Sequence, residues 1–296
     1  MTATTVSIVI RTLNEARYLG ELLEAIASQE TEGLEVETVL VDSGSTDGTL
    51  AIAEKHGCMI THITRDEFSF GRSLNRGCEA AKGDILILIS GHCIPRDRHW
   101  LRSLCQPIID GLVDYSYGKQ IGGPESRYSE CRIFAKYFPD QSSIPQEGFF
   151  CNNANSAIAR KAWAQHRFDE DVTGLEDMEL AQRLYRNHGR IGYVAEACVY
   201  HHHAESWPQV KRRFEREALA LQRIMPQIYV RHRDVIRYIT SSIWHDWRCA
   251  LREGVWLRKA WVIVLYRLHQ YTGSFKGNRE HRKLSHAEKD KYFYPS

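Results

Sequence analysis

The strongest constraint on the fold is an alternation of short apolar runs with amphipathic segments up to residue 89. The apolar runs at residues 6–11, 36–41, 58–63 and 85–89 have the length of strands. The segments between them have helical periodicity, as in Leu19, Leu22, Leu23 and Ile26. Strands that alternate with helices through short links predict a parallel, doubly wound α/β sheet.

The predicted strand ends are polar, and in such sheets ligands bind at the carboxyl ends of the strands. Thr12, Asn14 and Glu15 follow the first strand, Asp42 ends the second, and Ser90-Gly91-His92 follows the fourth. The first turn has no glycine, so the glycine-rich loops that cradle phosphate on backbone N–H groups are excluded. A bound diphosphate would therefore need a metal ion or side-chain cations.

A division of charge separates the chain into two parts. Residues 1–206 carry 20 Lys and Arg against 29 Asp and Glu, whereas residues 207–296 carry 19 against 8. Further strands are expected near residues 115–120, 149–159 and 191–200, with a helix at 175–187. We expect a domain at 1–206 and a basic, aromatic-rich helical extension at 207–296.

Several motifs resemble those of family 2 glycosyltransferases of the GT-A fold, and they occur in the order found in that family. They are VSIVIRTLNE (6–15), VDSGSTDGT (41–49), RSLNRG (72–77), AKGD (81–84), NSAI (155–158), GLEDMEL (174–180) and VYHHH (199–203). The resemblance implies a GT-A-like, mostly parallel sheet. It implies an inverting enzyme that moves a sugar from a nucleotide-diphosphate donor to an acceptor hydroxyl. The most similar subgroup assembles bacterial surface polysaccharides and includes rhamnosyltransferases.

The resemblance also assigns donor-binding residues. Thr12, Asn14 and Glu15 would line the nucleotide end, and Asp42 would contact the base, unless it only caps the turn. Arg72 and Asn75 would lie near the ribose and diphosphate, and Ser90 and Gly91 would also bind the donor. Asp47 is expected to stabilise the first turn of the following helix.

The metal-binding D-x-D motif of the family is replaced here by Ser90-Gly91-His92. His92 would ligate Mn²⁺ or Mg²⁺, or it would donate a hydrogen bond to phosphate in a metal-independent site. The run at 201–203 offers two further ligands, because His201 and His203 share one face of a strand while His202 points away. The alternative for this run is a solvated loop.

The resemblance nominates Asp177 as the catalytic base, with Glu176 beside it. An inverting transfer needs a carboxylate that takes the proton from the attacking hydroxyl. The position at a helix start lowers the pKa of a carboxyl and allows a simple capping role instead. Arg183 would pair with either carboxylate or hold the diphosphate.

The C-terminal part combines basic residues with Trp244, Trp247, Trp256 and Trp261. This favours attachment to an anionic membrane surface near a glycan or lipid-linked acceptor. The alternative is packing onto the acidic part, and no nucleic-acid motif accompanies the charge. The N-terminus lacks a signal pattern and no cysteines have C-x-x-C spacing, so we expect a cytoplasmic protein, peripheral on the inner face of the membrane. The remaining alternative is a non-catalytic sugar-nucleotide-binding protein with a degenerate D-x-D.

Overall fold

The structure is a computed structural model that describes residues 3–279. The chain forms two compact units. Of the described residues, the first contains 3–121, 138–171 and 176–202. The second contains residues 122–137, 172–175 and 203–279. The boundary expected after residue 206 stays a prediction.

The described residues form strands and helices that alternate from the start of the chain. The strands are β1 (Thr4–Thr12), β2 (Leu34–Asp42), β3 (Met59–His62), β4 (Ile85–Ser90), β5 (Cys93–Pro95), β6 (Tyr115–Gly122), β7 (Asn155–Ala159) and β8 (Ile191–His201). The helices are α1 (Ala16–Ala27), α2 (Thr49–Lys55), α3 (Phe70–Ala80), α4 (Trp100–Ile109), α5 (Tyr128–Tyr137), α6 (Arg160–His166), α7 (Glu176–Arg186), α8 (Trp207–Ile224), α9 (His232–Arg252) and α10 (Trp256–Asn278).

The strands form one sheet in the order β3-β2-β1-β4-β7-β6-β8-β5. Strands β3, β2, β1 and β4 are parallel, which confirms the predicted doubly wound sheet. Strand β7 then joins β4 in the antiparallel sense. In the register of β1, Thr12 lies opposite Asp42 and Arg11 lies opposite Ser90. The carboxyl ends of the three central parallel strands therefore meet at one edge.

The core of the first unit lies between the parallel strands and their helices. Strand β4 buries five consecutive residues, as expected for a strand covered on both faces. Helix α1 buries Leu19, Leu22, Leu23 and Ile26 against it, the periodicity that predicted this helix. Each such side chain contributes about 1.5–3 kcal/mol on burial. Gly77 lets α3 approach closely, since a Cβ there would lie 2.4 Å from Val9 Cγ1.

In the second unit, α8, α9 and α10 follow one another along the chain, which confirms the predicted helical character of the C-terminal part. Helix α8 begins with a capping box, in which the Ser206 N–H donates to Gln209 Oε1 at 2.7 Å. Val210, Phe214 and Tyr266 form a small apolar core between α8 and α10. None of the described helices combines the length and the apolar composition needed to cross a bilayer.

Candidate active site

A hydrogen-bond network around Asp42 closes the ends of the first two strands. Thr12 and Asp42 are each 2% exposed. The Asp42 carboxylate accepts the N–H groups of Gly44 at 2.9 Å and Ser45 at 3.1 Å. Asp42 therefore shapes the turn after β2, and its contact with a nucleotide base stays a prediction.

Asn14 and Asp47 join the loops that follow β1 and β2. The Asn14 side-chain oxygen accepts the Thr46 N–H at 2.8 Å, and Asn14 has a positive φ of 57°. Asp47 accepts the N–H groups of Ala16 and Thr49, each at 3.1 Å. Although burial raises the pKa of Asp47, hydrogen bonds from Thr49 and Ala16 lower it overall. The two loops thus form one continuous rim above the strand ends.

The end of β4 carries a carboxylate–histidine pair. His92 Nδ1 lies 2.8 Å from Glu15 Oε1, and both side chains are largely covered. A carboxylate accepts, so Nδ1 carries the proton and Nε2 of the neutral ring carries the lone pair. Gly91 is required for this approach, because a Cβ there would lie 2.9 Å from Glu15 Cγ. Glu15 thus supplies a negative charge beside His92 that the sequence comparison with D-x-D did not indicate.

A second histidine lies beside His92. Strand β5 pairs with the end of β8, with Cys93 opposite His201. The rings of His92 and His201 stack at a centroid distance of 5.2 Å, and their ligand nitrogens lie within 4.8 Å of each other. His201 Nδ1 lies 2.7 Å from Gln120 Oε1, an acceptor, so Nε2 again carries the lone pair. His202 and His203 follow the last residue of β8, so the expected strand alternation does not apply to them, and the His202 ring stacks on Tyr18 at a centroid distance of 4.7 Å.

His203, the third predicted ligand, belongs to the second unit. Its Nδ1 lies 2.8 Å from Glu130 Oε1, and Arg213 links Glu130 to Glu205. Burial raises the pKa of Glu130, but hydrogen bonds and charges from His203 and Arg213 hold it at about 2. A role for His203 as a metal ligand stays a prediction.

Two buried carboxylates begin helix α7. Asp177 is 6% exposed and Glu176 5%. The Asp177 carboxylate accepts the N–H of Asn153 at 2.9 Å and that of Met178 at 2.7 Å. Burial, and then the charge of Glu176, raise the pKa of Asp177 to about 7. The lowering expected from the helix start is therefore outweighed, and Asp177 can exchange a proton near neutral pH.

Arg11 is a functional residue that the sequence analysis missed. Its Nη1 lies 3.3 Å from Glu176 Oε1 and donates to the Phe70 carbonyl at the same distance. Because Arg11 pairs with Ser90 in the sheet, it brings the start of α7 to the strand ends. In the sequence, the feature that could have identified Arg11 is an arginine at the end of an apolar strand. Gln120 and Asn153, which hold His201 and Asp177, had no sequence signal.

The side chains of three other predicted residues form hydrogen bonds within the chain. Arg72 Nε donates to Glu170 at 2.7 Å. The Asn75 amide donates to the Phe168 carbonyl at 2.9 Å and accepts the Trp163 indole N–H at 3.1 Å. Arg183 binds both carboxylate oxygens of its neighbour one turn away on α7, Glu179, at 2.7 Å, rather than Glu176 or Asp177. Donor contacts by these three stay predictions.

Comparison with known proteins identifies related chains. Residues 7–166, more than half of the 296, match the family model for glycosyl transferase family 2. The O-antigen chain rhamnosyltransferase WbaN of Salmonella anatum is 26% identical over 178 residues, which cover 56% of this chain and 56% of that protein. The O-antigen chain rhamnosyltransferase RfbN of Salmonella typhimurium is 24% identical over 212 residues, covering 67% of this chain and 66% of that protein. The matched stretches thus span less than two thirds of either relative.

Among solved structures, the mannosyltransferase PcManGT of Pyrobaculum calidifontis, in complex with GDP-Man and Mn²⁺, superimposes with a TM-score of 0.64. The superposition covers 94% of this chain and 88% of that one, at 17% sequence identity. At this identity the likeness concerns the fold, and it confirms the GT-A-like architecture expected from the motifs.

Proposed function

The chain belongs to family 2 of the glycosyltransferases, and from this premise we propose that it is an inverting sugar transferase. The donor is a nucleotide-diphosphate sugar and the acceptor is a hydroxyl of a glycan or lipid-linked glycan. The observation that carries the proposal is the buried Asp177 carboxylate, with its raised pKa, at the start of α7. A carboxylate in this state accepts a proton near neutral pH, as a general base must.

Asp177 acts on the acceptor in a single displacement. As the acceptor oxygen attacks C1 of the sugar, its proton passes to the Asp177 carboxylate and a C1–O bond forms. The bond from C1 to the donor diphosphate breaks on the opposite side, and the nucleoside diphosphate leaves with the electron pair. Glu176 keeps the Asp177 pKa high, while Arg11 neutralises part of the Glu176 charge.

The donor lies along the carboxyl edge of the parallel strands. Support comes from the rim made by the loops after β1 and β2 and from its polar groups, which include Thr12, Asn14 and Asp42. Glu15 serves two roles, closing the rim and orienting His92. Ser90 and Gly91 lie at the diphosphate end, next to that histidine.

His92 and His201 fit a divalent metal at the diphosphate. Both rings have Nδ1 held by an oxygen acceptor, Glu15 or Gln120, so that Nε2 is the ligating atom. Outer acceptors of this kind are the usual support of metal-bound histidines. The bound ion would neutralise charge on the leaving diphosphate. Imidazole nitrogen can bind Mn²⁺ or Mg²⁺, although both ions prefer oxygen ligands.

We place this activity in bacterial surface-glycan assembly, on the inner face of the cell membrane. Support comes from the similarity to two transferases named for O-antigen chains. A lipid-linked acceptor would be presented there, in contact with the cytoplasm that supplies nucleotide sugars.

The proposal is tested in two steps with the full chain. Thermal shift with a panel of nucleoside diphosphates, with and without Mn²⁺, should reveal selective stabilisation by one base. Slow hydrolysis of the matching nucleotide sugar should then occur and should be lost in Asp177→Asn, while affinity for the nucleoside diphosphate is kept. Selective binding with no hydrolysis or transfer would instead support a non-catalytic sugar-nucleotide-binding protein.

A further inference from the structure

Of the four tryptophans on α9 and α10, two are packed and two are exposed. Trp247 and Trp256 pack edge to face at 6.0 Å, and the Trp247 indole N–H donates to the Ala260 carbonyl at 3.1 Å. Trp244 and Trp261, in contrast, are 62% and 69% exposed. The packed pair stabilises the α9–α10 contact, whereas Trp244 and Trp261 present most of their surface to solvent.

The exposed tryptophans belong to apolar stripes on α9 and α10. Leu251 lies two turns after Trp244 on the same face of α9 and is 59% exposed. Leu257 lies one turn before Trp261 on α10 and is 89% exposed. Trp247 is one turn from both Trp244 and Leu251, so both stripes border the packed tryptophan pair. Large apolar side chains exposed together mark an interaction surface.

Cations surround these stripes. Five exposed Arg side chains accompany them on α9 and α10: Arg233, Arg237, Arg248, Arg252 and Arg258. Of the three acids between residues 232 and 261, Asp246 is buried with Arg267 and Asp234 caps α9. Glu253, the third, lies 3.8 Å from Arg132. The exposed charge of this surface is therefore strongly positive.

We propose that this hairpin surface, made of Trp244, Leu251, Leu257, Trp261 and the five arginines, binds the surface of an anionic phospholipid bilayer. Tryptophan and leucine enter the boundary between headgroups and acyl chains, while arginine contacts lipid phosphates. Nucleic acid would satisfy the cations but would leave the exposed leucines in water. The inference rests on the proposed function only in taking the membrane as the place where the acceptor is presented.

The test is flotation of the full chain with vesicles of phosphatidylcholine alone or of an equal mixture with phosphatidylglycerol. Binding should require the anionic lipid and weaken as salt shortens the Debye length to about 8 Å at physiological ionic strength. The variant Trp244→Ala/Trp261→Ala should lose about tenfold or more of the binding. The matched control Leu112→Ala/Tyr185→Ala removes two exposed apolar side chains of the first unit and should bind like the wild type.

A second readout locates the contact. Brominated acyl chains should quench the tryptophan fluorescence of the wild type, and most of this quenching should vanish in Trp244→Phe/Trp261→Phe. Equal binding to both kinds of vesicle, or full binding by the Trp244→Ala/Trp261→Ala variant, would overturn the proposal. So would a dimer, seen by ultracentrifugation, that dissociates in that variant without any vesicle binding.

The proposed transferase activity and the proposed membrane-binding surface can be refuted separately. Thermal shift by nucleoside diphosphate and donor hydrolysis are measured without vesicles, and both should be unchanged in the Trp244→Ala/Trp261→Ala variant. Hydrolysis without vesicle binding would overturn the docking surface alone. Vesicle binding without hydrolysis would support the surface and count against the proposed activity.

Discussion

Replacing Glu176 by Gln should shift the acidic limb of the pH–rate profile to lower pH. Burial is the larger cause of the raised pKa of Asp177, and the charge of Glu176 is the next. Glutamine keeps the size of the side chain and removes its charge, so the burial of Asp177 is preserved. Because the base works in its ionised form, a lower pKa keeps the enzyme active at a lower pH.

The size of the effect follows from the two causes. A neighbouring charge shifts the pKa of a buried carboxyl by about 1 unit or more, and one unit corresponds to about 1.4 kcal/mol. A base whose pKa falls from about 7 to about 6 is about half ionised at pH 6, instead of about one tenth. The ratio of kcat/KM at pH 6 to that at pH 8.5 should therefore rise about fivefold.

Substitution of Arg11 provides a matched variant, in which the acidic limb of the pH–rate profile should shift in the opposite direction. Its charge lowers the Asp177 pKa and its Nη1 lies 3.3 Å from Glu176 Oε1. Arg11→Gln should move the acidic limb to higher pH, whereas Arg11→Lys, which keeps the charge, should leave the limb nearer its wild-type position. Any contribution from histidine ionisation is common to these variants, so the difference between them reports on the carboxyl pair.

The assay is kcat/KM for sugar transfer between pH 5.5 and 9 in each variant, with ratios used so that general losses of rate cancel. Shifts of the same sign in Glu176→Gln and Arg11→Gln would refute the electrostatic reasoning. A limb that stays in place in both variants would show that burial alone sets the pKa or that another group is the base.

Three further predictions concern the same site. Asp177→Asn should reduce turnover about 10²-fold or more. The same variant should raise the melting temperature at pH 8, because the raised pKa of Asp177 makes its ionised carboxyl unfavourable in the folded chain, and this increase in melting temperature should shrink below pH 7. In calorimetric titrations, His92→Ala and Gln120→Leu should each weaken the Mn²⁺-dependent binding of nucleoside diphosphate, Gln120→Leu by about 10-fold or more. With EDTA, the affinities of both variants should equal that of the wild type. If the wild type binds equally well with Mn²⁺ and with EDTA, His92 is instead favoured as a hydrogen-bond donor. Arg183→Met should destabilise the chain in urea and leave affinity for nucleoside diphosphate unchanged, because Glu179 already engages its guanidinium; a large loss of affinity would restore Arg183 to the donor site.

The parallel half of the sheet could be predicted because its strands are continuous apolar runs. The run at residues 6–11 lies within β1, which is three residues longer, and that at 85–89 lies within β4, which is one residue longer. Strand β5 escaped prediction, since its three residues are too few for any periodicity. Yet the pairing of β5 with β8 is what brings His92 to His201.

Candidate residues for the site could be nominated where a residue type carries its own chemistry, and their roles stay predictions. Asp177 and His92 could be nominated as base and ligand from their motifs. The groups that set their properties, Glu15 and Gln120 for the histidines and Arg11 for the carboxyl pair, act through neighbours distant in sequence. Only the folded chain assigns those neighbours, and so the state of Asp177 could not be read from its place at a helix start.

The antiparallel entry of β7 next to β4 has a consequence for synthesis of the chain. Strand β4 contains five consecutive apolar residues, and the backbone groups along one of its edges stay unpaired until residues 155–159 have been synthesised and can pair with them. An apolar strand edge of this kind is a template for pairing between molecules. Chains that end between residues 90 and 155 therefore keep this edge of β4 unpaired, and truncations in that interval should pair with one another and accumulate as inclusion bodies.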